Sequence, residues 1–154
     1  MNERNAIHAL IDEHERALTY LLRKMSRWTD ETLLVPLNGI EGNNLHDLLA
    51  HVVSCIFDPY FGWMQERLEF EGVVPPSYSR QELAKNKSIE NWKLIVSECL
   101  PYCRKAVAQM KDEHLERAFI APWNEGETYM IEQMFEHAIV HIWRHCRQLE
   151  RLGL

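Results

Sequence analysis

Long apolar runs are missing from this sequence: no stretch approaches the roughly eighteen apolar residues that a membrane span requires. The opening residues, MNERNAIHAL, mix charge with apolar side chains, so a signal peptide is not expected. An excess of basic residues is missing too. The net charge is −6, which provides no electrostatic footprint for nucleic acid. Glycine and proline are scarce, six of each in 154 residues, which is ordinary globular composition and makes no case for disorder. The four cysteines, Cys55, Cys99, Cys103 and Cys146, form no C-x-x-C pair. They read as reduced thiols, with a cytoplasmic location expected. Repeats, low-complexity tracts and strand-length alternation are absent. Only Leu33–Val35 and Gly72–Val74 look faintly extended.

What is present is helical periodicity. Hydrophobic residues make up 46% of the chain, enough for one core, and a single domain over residues 1–154 is expected. The first periodic segment runs from Glu3 to Trp28, with Ile7, Leu10, Ile11, Leu18, Leu21, Leu22 and Met25 on one stripe. The second is capped at Asn43-Asn44 and runs from Leu45 to about Glu69, with a kink or break expected at Asp58-Pro59. Gly72–Tyr78, with Pro75-Pro76, reads as a connector, and Ser79-Arg80-Gln81-Glu82 as a capping box opening a short helix. Ser88 caps a third long segment, expected to reach Phe119 with a bend at Pro101. Thr128 is expected to cap a fourth, ending at Leu152 before Gly153. The fold class is therefore all-α, a four-helix bundle whose first connection, Thr29–Asn43, is too long for a tight hairpin.

The fourth segment contains FEHAIVHIWRHCRQ, in which His137, His141 and His145 recur at strict four-residue spacing. Random placement of the histidines would give such a triplet about 0.02 times per chain, which sets coincidence aside. At about 100° per residue, and with His137 at zero, His145 falls at about 80° and His141 at about 40°. The apolar residues Ile131, Phe135, Ala138, Ile142 and Leu149 lie between about 100° and 160° on the same wheel. His141 and His145 thus look inward, and His137 sits at the polar boundary. Two imidazoles at i and i+4 can grip one metal ion, as in H-E-x-x-H sites, if a further ligand arrives from elsewhere.

His51 supplies it, sharing a face with Leu48, Val52 and Cys55, whereas His46 points away by the same count. His14 is lodged among apolar residues of the first segment. It reads foremost as a core histidine bonded to a neighbouring helix, with a role near the metal as the alternative. His8 and His114 read as surface residues. Asp58, Glu66 and Gln148 are candidates to orient a ligating imidazole, although Asp58 also simply marks the Pro59 kink. Cys55 reads as a small buried hydrophobe, and Trp63, Trp123, Tyr129 and Trp143 as core or interface material. Trp143 projects away from the histidine stripe and would suit a dimer seam. Di-iron chemistry is excluded because the residues three before His51, His137, His141 and His145 are Leu48, Met134, Ala138 and Ile142, not the glutamates of E-x-x-H pairs. C-x-x-C-H is absent as well, so a c-type haem is not expected.

NLHDLLAHVV together with HAIVHIWRHCRQLERLGL resembles the DinB/YfiT-like superfamily of metalloenzymes, whose members commonly read L-x-x-L-x-H and, on the last helix, H-x-x-x-H-R-G-Q. The resemblance spans the whole chain. It implies an up-down-down-up four-helix bundle, frequent homodimers, and a divalent ion, nickel or zinc foremost, held by His51, His141 and His145. His137 matches a histidine that often precedes the ligands by one turn. Where many members have Arg-Gly-Gln, this chain has Cys146-Arg147-Gln148, and the missing glycine departs from the pattern. The resemblance further implies a thiol-dependent S-transferase acting on a small molecule with a low-molecular-weight thiol. The alternatives are a metal-dependent hydrolase or a non-catalytic, stress-related metal-binding or scaffold protein. No nucleic-acid or membrane partner is expected.

Overall fold

The computed structural model describes residues 5–39, 42–73 and 79–154. The expected helix start at Glu3 and the Pro75-Pro76 connector lie outside the described residues. Helix α1 (Ala6–Met25) is capped by the Asn5 side chain, which accepts from the His8 N–H at 2.9 Å, and Arg23 and Lys24 complement the dipole at its other end. Its stripe of Ile7, Ile11, Leu18, Leu21 and Met25 is buried. The long first connection is not plain coil. A 3₁₀ turn (Glu31–Leu34) leads into a small antiparallel ladder of β1 (Pro36–Gly39) and β2 (Gly42–Asn44). Gly42 is required there: its φ is 152°, and an added Cβ would lie 2.2 Å from the Asp47 Cβ.

Helix α2 (Leu45–Cys55) is capped by Asn44, whose side chain accepts from the Asp47 N–H at 3.2 Å. Pro59 does not break the chain's helical course. The helix widens into a π turn (Ile56–Gly62) and continues as α3 (Trp63–Arg67). The wider turn accommodates the ring and the missing N–H of Pro59 within a helical path. It packs so closely that a Cβ at Gly62 would sit 2.2 Å from the Phe57 carbonyl oxygen. The short helix α4 (Arg80–Lys85) opens on the expected capping box, with Ser79 N–H donating to Glu82 at 2.8 Å and Glu82 N–H to Ser79 at 3.1 Å. Ser88 caps α5 (Ile89–Ala106), which passes through Pro101.

Two expectations fail after that point. The third long helix stops at Ala106 rather than Phe119, and Thr128 does not cap a helix. A hairpin occupies this stretch, β3 (Ala118–Ala121) against β4 (Asn124–Met130), pairing Phe119 with Tyr129 and Ile120 with Thr128. Cross-strand aromatic and β-branched pairs outweigh the helix propensity of the intervening glutamates. Helix α6 (Ile131–Arg151) follows directly.

The described residues are mostly helical, with two small sheets among them. Helix α1 lies along α6, where the Tyr20 ring meets Trp143 at 5.2 Å and Lys24 Nζ donates to the Leu154 oxygen at 3.0 Å. It also lies along α5, where Arg104 pairs with Asp12 and Glu15. Trp143 therefore faces α1 of its own chain. Trp92, Phe61 and Phe135 are among the largest fully buried side chains of the core that these helices share. No helix among the described residues is long and apolar enough to cross a membrane.

Candidate metal centre

Helix α2 carries His51 inward, and α6 carries His141 and His145 one turn apart on its buried face. These two distant stretches converge. His51 Nε2 lies 2.9 Å from His141 Nε2, and His145 Nε2 lies 3.1 Å from the same atom. The ligand atoms of all three rings fall within 4.8 Å of one another. His141 and His145 are buried, whereas His51 is only partly buried.

Hydrogen bonds among the three rings do not by themselves satisfy the facing nitrogens. The Gln148 side-chain oxygen, 2.9 Å from His145 Nδ1, can only accept, so His145 donates from Nδ1, and in the neutral ring Nε2 then carries the lone pair. His141 Nε2 bears either one proton or one lone pair, yet it faces two ring nitrogens. At most one good hydrogen bond forms among the three. A divalent cation would accept all three lone pairs at once. Two nitrogens bound tetrahedrally at zinc-like distances stand about 3.3 Å apart, close to the 2.9 and 3.1 Å that separate His141 Nε2 from the other two rings. The donor set therefore fits a metal ion.

Electrostatics favour the same state. Burial, then the His145, His51 and His137 imidazoles, then Arg144, hold His141 down at about 3, well below the ordinary 6.5. It is neutral at physiological pH, the form that ligates. Gln148→Leu removes the acceptor that fixes the His145 tautomer. It is expected to lower divalent-metal affinity about 10–100-fold, read by competition with a chromophoric chelator.

The other candidates are placed less simply. Cys55 Sγ lies 3.7 Å from His51 Nδ1, behind the ring, and burial pushes its thiol up to about 11, so it remains S–H. Asp58 is exposed and lines a cleft of about 390 Å³ with Cys55 and Arg80. Glu66 is exposed. His14 is completely buried against Phe61, with ring centroids 4.8 Å apart, and neither of its nitrogens has a partner among the described residues. The expected bond from His14 to a neighbouring helix is therefore not formed. His46 is also buried, against the outward reading. The first connection runs against the start of α2, where the Leu45 N–H donates to the Val35 carbonyl at 3.1 Å, and helical periodicity does not represent that cover.

His137 is half-buried, its Nδ1 3.5 Å from the Tyr129 hydroxyl. Its ring meets Trp123 at 5.2 Å and Tyr60 at 5.3 Å, and Tyr60 in turn meets His141 at 5.3 Å. Sequence reasoning assigned Trp123 and Tyr129 to the core or an interface and missed this aromatic wall beside the histidines. The signal was present in the Pro122-Trp123 turn between AFIA and NEGETYM, which reads as a hairpin.

A family model described as the DinB superfamily matches residues 10–149, which include all three histidines. No curated protein matches the chain.

Proposed function

The chain belongs to the DinB superfamily, and from that premise we propose a divalent-metal enzyme, with His51, His141 and His145 holding the ion and a low-molecular-weight thiol as cosubstrate in an S-transferase reaction. The single observation that carries this reading is the meeting of three imidazole nitrogens within 4.8 Å of one another, a donor set that could hold a metal ion. Nickel or zinc suits three neutral nitrogen donors. When bound, the ion would supply its full positive charge, which keeps a thiolate anionic and oriented toward an electrophile.

The surrounding residues supply the rest. Gln148 holds the His145 ring in its ligating tautomer. The Tyr60 ring covers His137 and His141 and keeps water from that side, and its phenol, raised by burial, stays protonated. The cleft at Cys55, Asp58 and Arg80 lies behind the His51 ring, on its Nδ1 side, and none of the three histidines lines it. We also read the long helices as an up-down-down-up bundle. The contacts of Tyr20 and Lys24 with the end of α6, and of Arg104 with the start of α1, support that reading.

Untagged protein is expected to purify with close to one divalent ion per chain, and His51→Ala with little or none. In cobalt-substituted protein, a small thiol is expected to produce a near-ultraviolet sulfur-to-metal charge-transfer band. Equal metal content in both proteins would remove His51 from the site. A loaded protein without the band would leave hydrolysis by an activated water as the better reading.

A further inference from the structure

His145 enters the cluster with its far nitrogen anchored, since the Gln148 side-chain oxygen lies 2.9 Å from Nδ1. His51 meets a different atom at the equivalent place. Its Nε2 faces His141 Nε2 at 2.9 Å, and its Nδ1 lies 3.7 Å from the Cys55 sulfur, within hydrogen-bonding reach of that larger atom. Cys55 stands one turn after His51 and is the last residue of α2 before the π turn, so the helix itself keeps both side chains on one face. The thiol is only partly buried and lines the cleft behind the ring.

An imidazole turned half a revolution about its Cβ–Cγ bond exchanges Nδ1 with Cδ2 and Nε2 with Cε1. That turn would aim a C–H group at the cluster and remove His51 as a donor. The rings of His141 and His145 stand edge-on to His51, with centroids at 4.8 and 5.3 Å, and they constrain its plane more than its choice of edge. A ring that ligates through Nε2 carries its proton on Nδ1, and an acceptor at that atom fixes both tautomer and orientation.

We propose that Cys55 is a positioning residue of the metal centre, its sulfur accepting the His51 Nδ1–H so that Nε2 is aimed at the ion. The role rests on the three histidines being the ligands. It gives His51 the support that Gln148 gives His145, through a weaker acceptor.

Zinc affinity of the full chain, read by competition with a chromophoric chelator, tests it. Cys55→Val keeps similar bulk without an acceptor and is expected to bind zinc about tenfold more weakly than wild type, the lower end of the range for such supporting groups. Cys55→Ala, smaller and unbranched, is expected to show the same loss. Cys55→Ser restores an acceptor and is expected to stay within about threefold of wild type. All three metal-free variants are expected to melt within a few degrees of metal-free wild type. In NMR spectra of zinc-loaded protein, Cys55→Val is expected to move the His51 ring N–H signal and to leave that of His145 in place. Wild-type affinity in Cys55→Val and Cys55→Ala, an equal loss in Cys55→Ser, or an equal displacement of the His145 signal would each overturn the positioning role. A wild-type chain that binds neither zinc nor nickel would instead overturn the metal centre, and this role with it.

Discussion

Adding zinc or nickel to metal-free protein is expected to raise its melting temperature by about 5–10 °C at a hundredfold excess over the dissociation constant, and His141→Ala is expected to abolish that rise. The magnitude follows from mass action. A ligand that binds only the folded state at that excess stabilises it by about 2.7 kcal/mol, and each kcal/mol moves the midpoint of a domain this size by about 2–4 °C. His141 is the ring to replace because its Nε2 faces both of the others. The metal-free variant is expected to melt within a few degrees of metal-free wild type. It loses one buried imidazole, but it also loses a cluster whose facing nitrogens the rings do not by themselves satisfy. A differential scanning measurement with chelator, then with excess ion, separates the two effects. A wild-type midpoint indifferent to both metals would dispose of the centre.

Metal-free protein is expected to lose about 2 kcal/mol of stability through His14 alone when the pH falls from 7.5 to 5.0. Complete burial holds the His14 imidazole down at about 3, against 6.5 for an ordinary one. Between those values the unfolded chain takes up a proton that the folded chain refuses. Stability therefore falls as the pH drops below about 6.5, by about 1.4 kcal/mol per unit, until the folded value is reached. His14→Leu removes that proton and both unpartnered ring nitrogens. At pH 7.5 the variant is expected to equal or exceed wild type, by up to about 1–3 kcal/mol, because a buried polar group without a partner is replaced by an apolar one. Urea unfolding at both pH values, with chelator present, reads the difference. His141, also held near 3, leaves a residual acid sensitivity in the variant. An undiminished slope in His14→Leu would show that His14 is not the group responsible.

The convergence of His51, His141 and His145 was legible because it rests on local periodicity. Four-residue spacing puts two rings on one face of α6, and one apolar stripe of α2 carries the third. The capping box at Ser79 and Glu82 was legible for the same reason, since both partners lie within one turn. What was not legible depends on partners remote in sequence. His14 sits squarely in an apolar stripe, and no local pattern reveals whether a neighbouring helix will offer it a bond. His46 was misplaced because the first connection folds back over the start of α2. The stretch 107–130 misled for a different reason: its glutamates and lysines favour helix in isolation, and only the pairing of Phe119 and Ile120 with Tyr129 and Thr128 turns it into strands.

The π turn at Ile56–Gly62 has a consequence for the far end of the molecule. A π turn uses more residues per revolution than an α turn, so it sets the rotational phase of everything after it. Trp63, the first residue beyond, donates its indole N–H to the Ile120 carbonyl at 3.1 Å, latching onto the strand whose partner bears Tyr129. Shortening the segment by one residue would swing Trp63 through about 100° and release that latch. The spacing between His51 and Trp63 thus works as a ruler, and Pro59 and Gly62 are the marks that keep its length.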